Sequence, residues 1–451
     1  MFSGANGFGY FRLPEKRAPA AESATMPPFA CRRLFSLMTS ARLAHTAAVL
    51  AEVFAFERPA DALLAAYWRR HPKLGRQDRH RIAETVFAAL RHYQKILALL
   101  PDAPRQTRAA ALLALQFGGA DAAALAGEAE CELLARAAQT DFSDCLNTAS
   151  ELPQWLTDTL RAGGWDDVRI LAFGRSSAQS APLDLRVNTL KARRSKILPQ
   201  LQAEFAGTAA TPYAPHGIRI GGKPSLAGHP LFAGGALEVQ DEGSQLLALL
   251  LGARRGETVV DFCAGAGGKT LAIGAQMAGS GRIYAFDTAE KRLANIKPRL
   301  ERAGLTNVRV ERIAHEHDAR LQRLAGKADR VLVDAPCSGM GTLRRQPDLK
   351  YRHNPDSVAE LVRLQQSVLA AAAQLVRPGG RLVYATCSVL PAENAAQAAA
   401  FLAAHPDFAE LDAADILRAQ KIPLDTGRFL ELDTGRHGTD GFFAAVMERR
   451  R

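Results

Sequence analysis

The stretch Thr258–Thr270, TVVDFCAGAGGKT, constrains the fold more than any other. Three β-formers run into an acid. Small residues follow, with glycine at 265, 267 and 268, and then a helical pattern. This order predicts a strand, a tight turn and a helix start. Glycine lets a backbone turn sharply and approach a ligand, because no Cβ intervenes. Free N–H groups at the helix start suit an anionic group such as a carboxylate. A second strand is predicted over 282–286, ending at Asp287. A glycine-rich turn paired with an acid at the end of the next strand holds a nucleoside ribose by its hydroxyls.

The nucleoside is narrowed by elimination. Gly268-Lys269-Thr270 looks like the end of a phosphate-binding loop, but that motif needs glycine at position 263, which is Cys. The spacing GAGG is not the GxGxxG of a dinucleotide fold. S-adenosylmethionine remains, and its turn has no phosphate to cradle.

The 451 residues suffice for two or three domains. Lys plus Arg number 57 against 46 acids, a net charge of +11 that suits a polyanionic partner. No apolar run approaches the ~20 residues of a membrane helix, so no membrane partner is expected. The six cysteines include no CxxC pair, so neither a zinc site nor a disulfide framework is indicated. Free thiols fit the cytoplasm. No metal is expected, and His315 and His317 are read as surface residues.

Residues 1–37 lack periodicity and are expected to be disordered, or to precede the true initiator, Met38. Residues 38–145 read as a helical domain, with Ile82, Val86 and Leu90 at i+4 spacing. Residues 146–240 read as a linker and a small α+β subdomain: strand 183–187, helix 195–205, strand 217–220. Arg186 and Asn188 alternate on one strand, so both are placed to reach an RNA backbone, with Lys191 close by. Residues 241–451 alternate strand and helix, which predicts an open doubly wound sheet. Its last segment, 441–448, is expected to be antiparallel. Arg377–Gly380 is read as a turn between helix and strand.

Ligands in such sheets sit at the carboxyl ends of the strands. There, one strand is expected to end in Asp334-Ala335-Pro336-Cys337-Ser338 and the next in Thr386-Cys387-Ser388. A thiolate adding to carbon 6 of cytosine makes carbon 5 nucleophilic toward a sulfonium methyl. Asp334, protonated in a desolvated pocket, would serve as the acid at N3. Arg344 and Arg345 follow the Cys337 loop and are read as phosphate contacts.

DFCAGAGGKT, DAPCSGMGTLRRQPDLKYR and YATCSVLPAEN together resemble the Sun-type RNA (cytosine-5) methyltransferase family. The stretch from Leu74 through Asp78-Arg79 to Leu100 resembles the NusB-like RNA-binding bundle. The resemblance implies a Rossmann-like, S-adenosylmethionine-dependent α/β domain, a small α+β RNA-binding subdomain and an all-helical NusB-like N-terminal domain. It implies that Cys387 is the nucleophile and that Cys337 assists product release. It implies cofactor contacts from Cys263, Ala264, Gly265, Ala266, Gly267, Gly268 and Lys269. Asp287 would hold the ribose, Asp318 would face the adenine, and Asp334 would lie near the methyl donor. The family's usual loop reads CAAPGGKT; here Gly265 and Ala266 replace Ala and Pro, which removes no side-chain ligand. The implied substrate is RNA, with small-subunit (16S) ribosomal RNA indicated by the helical front end, and a monomer is expected. Two alternatives stand beside this reading. One is a DNA cytosine-5 methyltransferase, which would use only the Pro-Cys cysteine. The other is an RNA-binding assembly factor with a vestigial catalytic domain.

Overall fold

The computed structural model describes residues 38–451, so the expectation for residues 1–37 lies outside it. The described residues begin with helices Ser40–Val53, Ala60–Arg70, Arg76–Arg91, Tyr93–Leu99, Thr107–Phe117 and Glu128–Gln139. Ile82, Val86 and Leu90 share one face of the third helix and are fully buried against Leu43, Leu50, Leu112 and Leu113. Asp78 accepts the Gly75 N–H at that helix's start and also pairs with Arg42 Nε at 2.7 Å, tying the first helix to the third. Three further helices, Leu146–Ser150, Gln154–Ala162 and Asp167–Ser177, lead out of the bundle.

The next unit is a four-stranded antiparallel sheet. Its strands are β1 (Leu183–Val187), β2 (Ala209–Ala210), β3 (Gly217–Ile220) and β4 (Leu237–Val239), in the order β2-β3-β1-β4. Helix Arg194–Glu204 covers one face, placing Ile197 and Leu201 against Leu185, Val187, Ile218 and Leu237.

The remainder builds an eight-stranded sheet from β5 (Thr258–Asp261), β6 (Arg282–Asp287), β7 (Val308–Arg312), β8 (Ala328–Asp334), β9 (Val376–Thr386), β10 (Phe408–Leu411), β11 (Leu430–Leu432) and β12 (Phe442–Arg449). The order is β10-β12-β9-β8-β5-β6-β7, with β11 paired to β12. β9, β8, β5, β6 and β7 are parallel, while β12 runs antiparallel to β9. Successive residues of β5 face opposite sides: Val259 packs under helix Glu242–Leu251, and Val260 joins the core containing Leu369 and Ala372 of helix Pro355–Ala373. The chain order reverses between β5 and β8, so the crevice of a doubly wound sheet opens at the carboxyl ends of those strands.

Arg377–Gly380 is not a turn. It belongs to β9, which begins at Val376, and the register against β8 shifts between Ala328 and Arg330. A bulge of this kind tolerates Pro378 inside a strand. β4, β10 and β11 carry too few residues for an alternating pattern to show.

The helical bundle docks on the segment that follows the Cys337 loop. Asp348 accepts the Ala60 N–H, at 3.3 Å. Lys350 Nζ donates to the Glu151 carbonyl at 2.6 Å. The Tyr351 ring lies 5.0 Å from those of Phe56 and Tyr93.

Candidate active site

The first strand end is stitched to the second. Gly265 and Gly267 have φ of 55° and 83°, which favours glycine at both. This geometry turns the Gly265 N–H onto Asp287 Oδ2, at 2.8 Å, while Ala289 N–H takes Oδ1 at 2.7 Å. Ala264 N–H bonds the Phe286 carbonyl. A Cβ on Gly265 would project into open space, so the turn leaves room for a ligand. Beneath it, Thr270 donates its hydroxyl to Asp261 Oδ2 at 2.6 Å, and Asp261 Oδ1 has no partner. Burial pushes the Asp261 carboxyl up to about 7.

Lys269, at the start of helix Gly268–Gln276, reaches across the crevice to the end of β8. Its Nζ lies 2.6 Å from Asp334 Oδ2. Burial opposes the ammonium charge, but the attraction and hydrogen bond of Asp334, aided by Cys387, hold its pKa above the ordinary lysine value. Asp334 is therefore half of an ion pair, with a side chain 30% exposed, rather than the isolated acid of a dry pocket expected from sequence.

The two cysteines meet. Asp334 pairs with Ala385 in the β8–β9 register, so Cys337 and Cys387 leave adjacent strands together. Their sulfurs lie 3.3 Å apart. The hydrogen bond with Cys387, then burial, push the Cys337 thiol well up, and the charge of Glu393 adds to this. Cys263 is also pushed up, mainly by burial and then by Asp334 and Asp287.

Asp318 lies past β7 and caps its own loop, accepting Ala314 N–H at 2.8 Å and Arg320 N–H at 3.0 Å. Those bonds hold its carboxyl below the ordinary range. Ile313 N–H bonds the Asp287 carbonyl, which keeps this loop beside β6.

The expected RNA contacts have a different fate. Arg186 is buried with its Nε 2.6 Å from Gln240 Oε1. Asn188 is buried, donating to the Gly235 and Ala303 carbonyls at 3.0 Å each. Lys191 is exposed but donates to the carbonyls of Gly234 and Arg302. Asn188 and Lys191 thus cap the C-terminal end of helix Ile296–Ala303, where a cation is favoured. Arg344 is buried against Asp440, at 2.5 Å, and Arg345 pairs with Asp440 and Asp241. All five side chains make hydrogen bonds or ion pairs within the protein, and Arg186, Asn188 and Arg344 are buried.

Sequence reasoning passed over Glu393, Ser338, Ser388 and Gln365. Glu393 is fully buried and bonds both serines that follow the cysteines. It stands in the YATCSVLPAEN motif, and a carboxylate within an otherwise apolar run was the available signal.

Residues 248–448 match the family model for 16S rRNA methyltransferase RsmB/F. Residues 152–226 match the ferredoxin-like domain of the RsmF/B-like methyltransferases. The probable ribosomal RNA small subunit methyltransferase B of Bacillus subtilis is 35% identical over 324 residues, 68% of each chain. Its counterpart in Synechocystis is 36% identical over 301 residues, 66% of each chain. These alignments therefore span about two thirds of the relatives' own lengths. The crystal structure of PH0851 is similar with a TM-score of 0.70 and 25% identity, over 94% of this chain and 99% of its own. A sulfur pair beside a glycine turn, on a sheet of this order and with these likenesses, places the chain in the RsmB/F family of 16S rRNA methyltransferases.

Proposed function

We propose that the protein methylates carbon 5 of a cytosine in small-subunit ribosomal RNA, using S-adenosylmethionine. The observation that carries this is the 3.3 Å approach of Cys337 and Cys387 at the rim that also holds the glycine turn. A methyltransferase working on a ring nitrogen or a ribose hydroxyl needs no nucleophilic thiol.

The residues present fit the cofactor. Asp287 stands at the end of β6 to take ribose hydroxyls, and the Cβ side of Gly265 in the turn faces open space. Asp318 stands on the adjoining loop for the adenine. When bound, the cofactor supplies an electrophilic methyl group. Cys387 adds to carbon 6 of the cytosine as its thiolate, while the Lys269–Asp334 pair supplies a proton on the N3 side. Carbon 5 thereby gains enamine character. Once carbon 5 is methylated it loses its proton as the carbon 6–sulfur bond breaks: Cys337, kept as a thiol, donates its S–H to the departing Cys387 sulfur and takes up the carbon-5 proton in its place, while the N3 proton returns to the Lys269–Asp334 pair. The target base must lie in unpaired or opened RNA for its face to be reached. The net charge of +11 and the helical module support an RNA partner, and a cytoplasmic monomer belongs to the same reading.

Labelled cofactor incubated with total RNA and, separately, with DNA from a strain lacking the gene tests this directly. Label is expected in 16S RNA as 5-methylcytosine, falling below about 1% of wild type in Cys387→Ala. Full methylation by Cys387→Ala would refute the assignment, and label in DNA alone would favour the DNA enzyme. No label in any nucleic acid would favour an assembly factor.

A further inference from the structure

Neither strand fixes a cysteine loop by itself, since each thiol stands just past the last ladder hydrogen bonds. What fixes them lies behind the pair. Glu393 Oε1 accepts the Ser338 backbone N–H at 2.8 Å and Gln365 Nε2 at 2.9 Å. Its Oε2 accepts the Ser338 hydroxyl and the Ser388 hydroxyl, each at 2.5 Å. Four donors fill the four acceptor directions of one carboxylate. Two of the donating residues are the immediate successors of Cys337 and Cys387.

The carboxylate is itself held. Tyr384 donates its hydroxyl to the Glu393 carbonyl at 2.6 Å. Asn394 accepts from Thr386 at 2.6 Å and donates to the Ser388 carbonyl at 3.0 Å. Gln365 also donates to the Pro336 carbonyl, one residue before Cys337. The four residues flanking the two thiols are therefore tied into one network: Ser338 and Ser388 directly to Glu393, Pro336 through Gln365 and Thr386 through Asn394. Such a network specifies a geometry because each unmade bond in it is costly.

We propose that Glu393 is the positioning residue of the thiol pair, stapling the Cys337 and Cys387 loops so that one sulfur faces the other. This rests on reading Cys387 as the nucleophile and Cys337 as the thiol that assists its departure. Glu393 touches neither substrate nor cofactor; it acts through the two serines. Its negative charge also helps keep Cys337 protonated, as a donor must be.

Phenylarsine oxide reads the staple without RNA. It condenses with two thiols, forming two As–S bonds and releasing one water, and binds tightly only when both sulfurs are held close. The full-length wild-type chain is expected to bind one equivalent tightly, and Cys387→Ala to lose that binding. Glu393→Gln places amide hydrogens where two acceptor positions were. It is expected to weaken arsenical binding at least tenfold. It should also lower kcat at least tenfold, with the cofactor KM within twofold of wild type. Glu393→Asp should recover part of both losses. Glu393→Gln with wild-type arsenical affinity, or with unchanged kcat, overturns the proposal. If its thermal melt shows that Glu393→Gln does not fold, Ser388→Ala, which keeps the carboxylate and removes one donor, takes the same measurements. Severalfold weaker arsenical binding is expected there, and unchanged binding overturns the proposal. A wild-type chain that binds the arsenical but methylates no RNA sinks the proposed function instead, and the arsenical affinities of the variants still decide on Glu393.

Discussion

Lys269 and Asp334 close an ion pair of 2.6 Å across the crevice, joining the helix after β5 to the end of β8. The pair spans the point where the strand order reverses, so it links the glycine turn to the thiol loops.

Breaking that pair should therefore cost both stability and rate. Lys269→Met leaves the Asp334 carboxylate without its partner on a partly buried rim. A loss of about 1–3 kcal/mol is expected from thermal or urea melts. Single-turnover methyl transfer should fall by about 10²-fold, since the acid side of the site is gone. Wild-type single-turnover rates in Lys269→Met would remove the pair from the mechanism.

Cys337 should control release rather than addition. Cys337→Ala removes the S–H that faces the departing sulfur. A covalent protein–RNA adduct should then accumulate and survive denaturing electrophoresis. Turnover should drop while the first methyl transfer persists. Normal turnover with no adduct would contradict this role.

Asp261 should give the protein an unusual pH profile. Burial lifts its folded-state pKa from 3.8 to about 7, so the folded chain holds this proton more tightly than the unfolded chain. The stability linked to Asp261 is complete below pH ~4 and lost as pH rises through 7. Asp261→Asn, neutral throughout, should flatten that part of the ligand-free stability curve. At pH 8 it should gain stability on the order of 1–3 kcal/mol. Urea midpoints measured from pH 4 to 8 check both, and parallel curves for the two proteins would show that Asp261 titrates elsewhere.

Arg344 should behave as a structural residue. Arg344→Ala leaves Asp440 buried beside Asp241 with only Arg345 to offset them. The expected cost is about 3 kcal/mol. The slope of RNA affinity against salt should not change, because no phosphate contact is lost. A slope lowered by about one would restore Arg344 to the RNA interface.

Tyr351 should set how firmly the helical bundle is docked. Its ring forms a cluster with those of Phe56 and Tyr93, in the segment that follows the Cys337 loop. Tyr351→Ala is expected to cost about 2–4 kcal/mol, seen in calorimetry as earlier melting of the bundle. An unaltered melt would place the docking energy on Lys350 and Asp348 instead.

The local pattern of the chain carried the parts of the site that depend on near neighbours. The turn at 265–268 is legible because only glycine adopts positive φ there cheaply, and its position after a β-forming run fixes the strand end. The thiols at 337 and 387 are legible because each follows the apolar end of a strand, and pairing those strands in parallel brings their ends together. Tertiary structure alone decided what became of the polar residues. Arg186 meets Gln240 from 54 positions away, Arg344 meets Asp440 from 96, and Glu393 reaches Ser338 from 55. Whether a charge faces water or a buried partner depends on desolvation balanced by hydrogen bonds from distant segments. No local periodicity encodes that balance, so a basic run reads alike whether it will grip a polyanion or brace the protein's own interior.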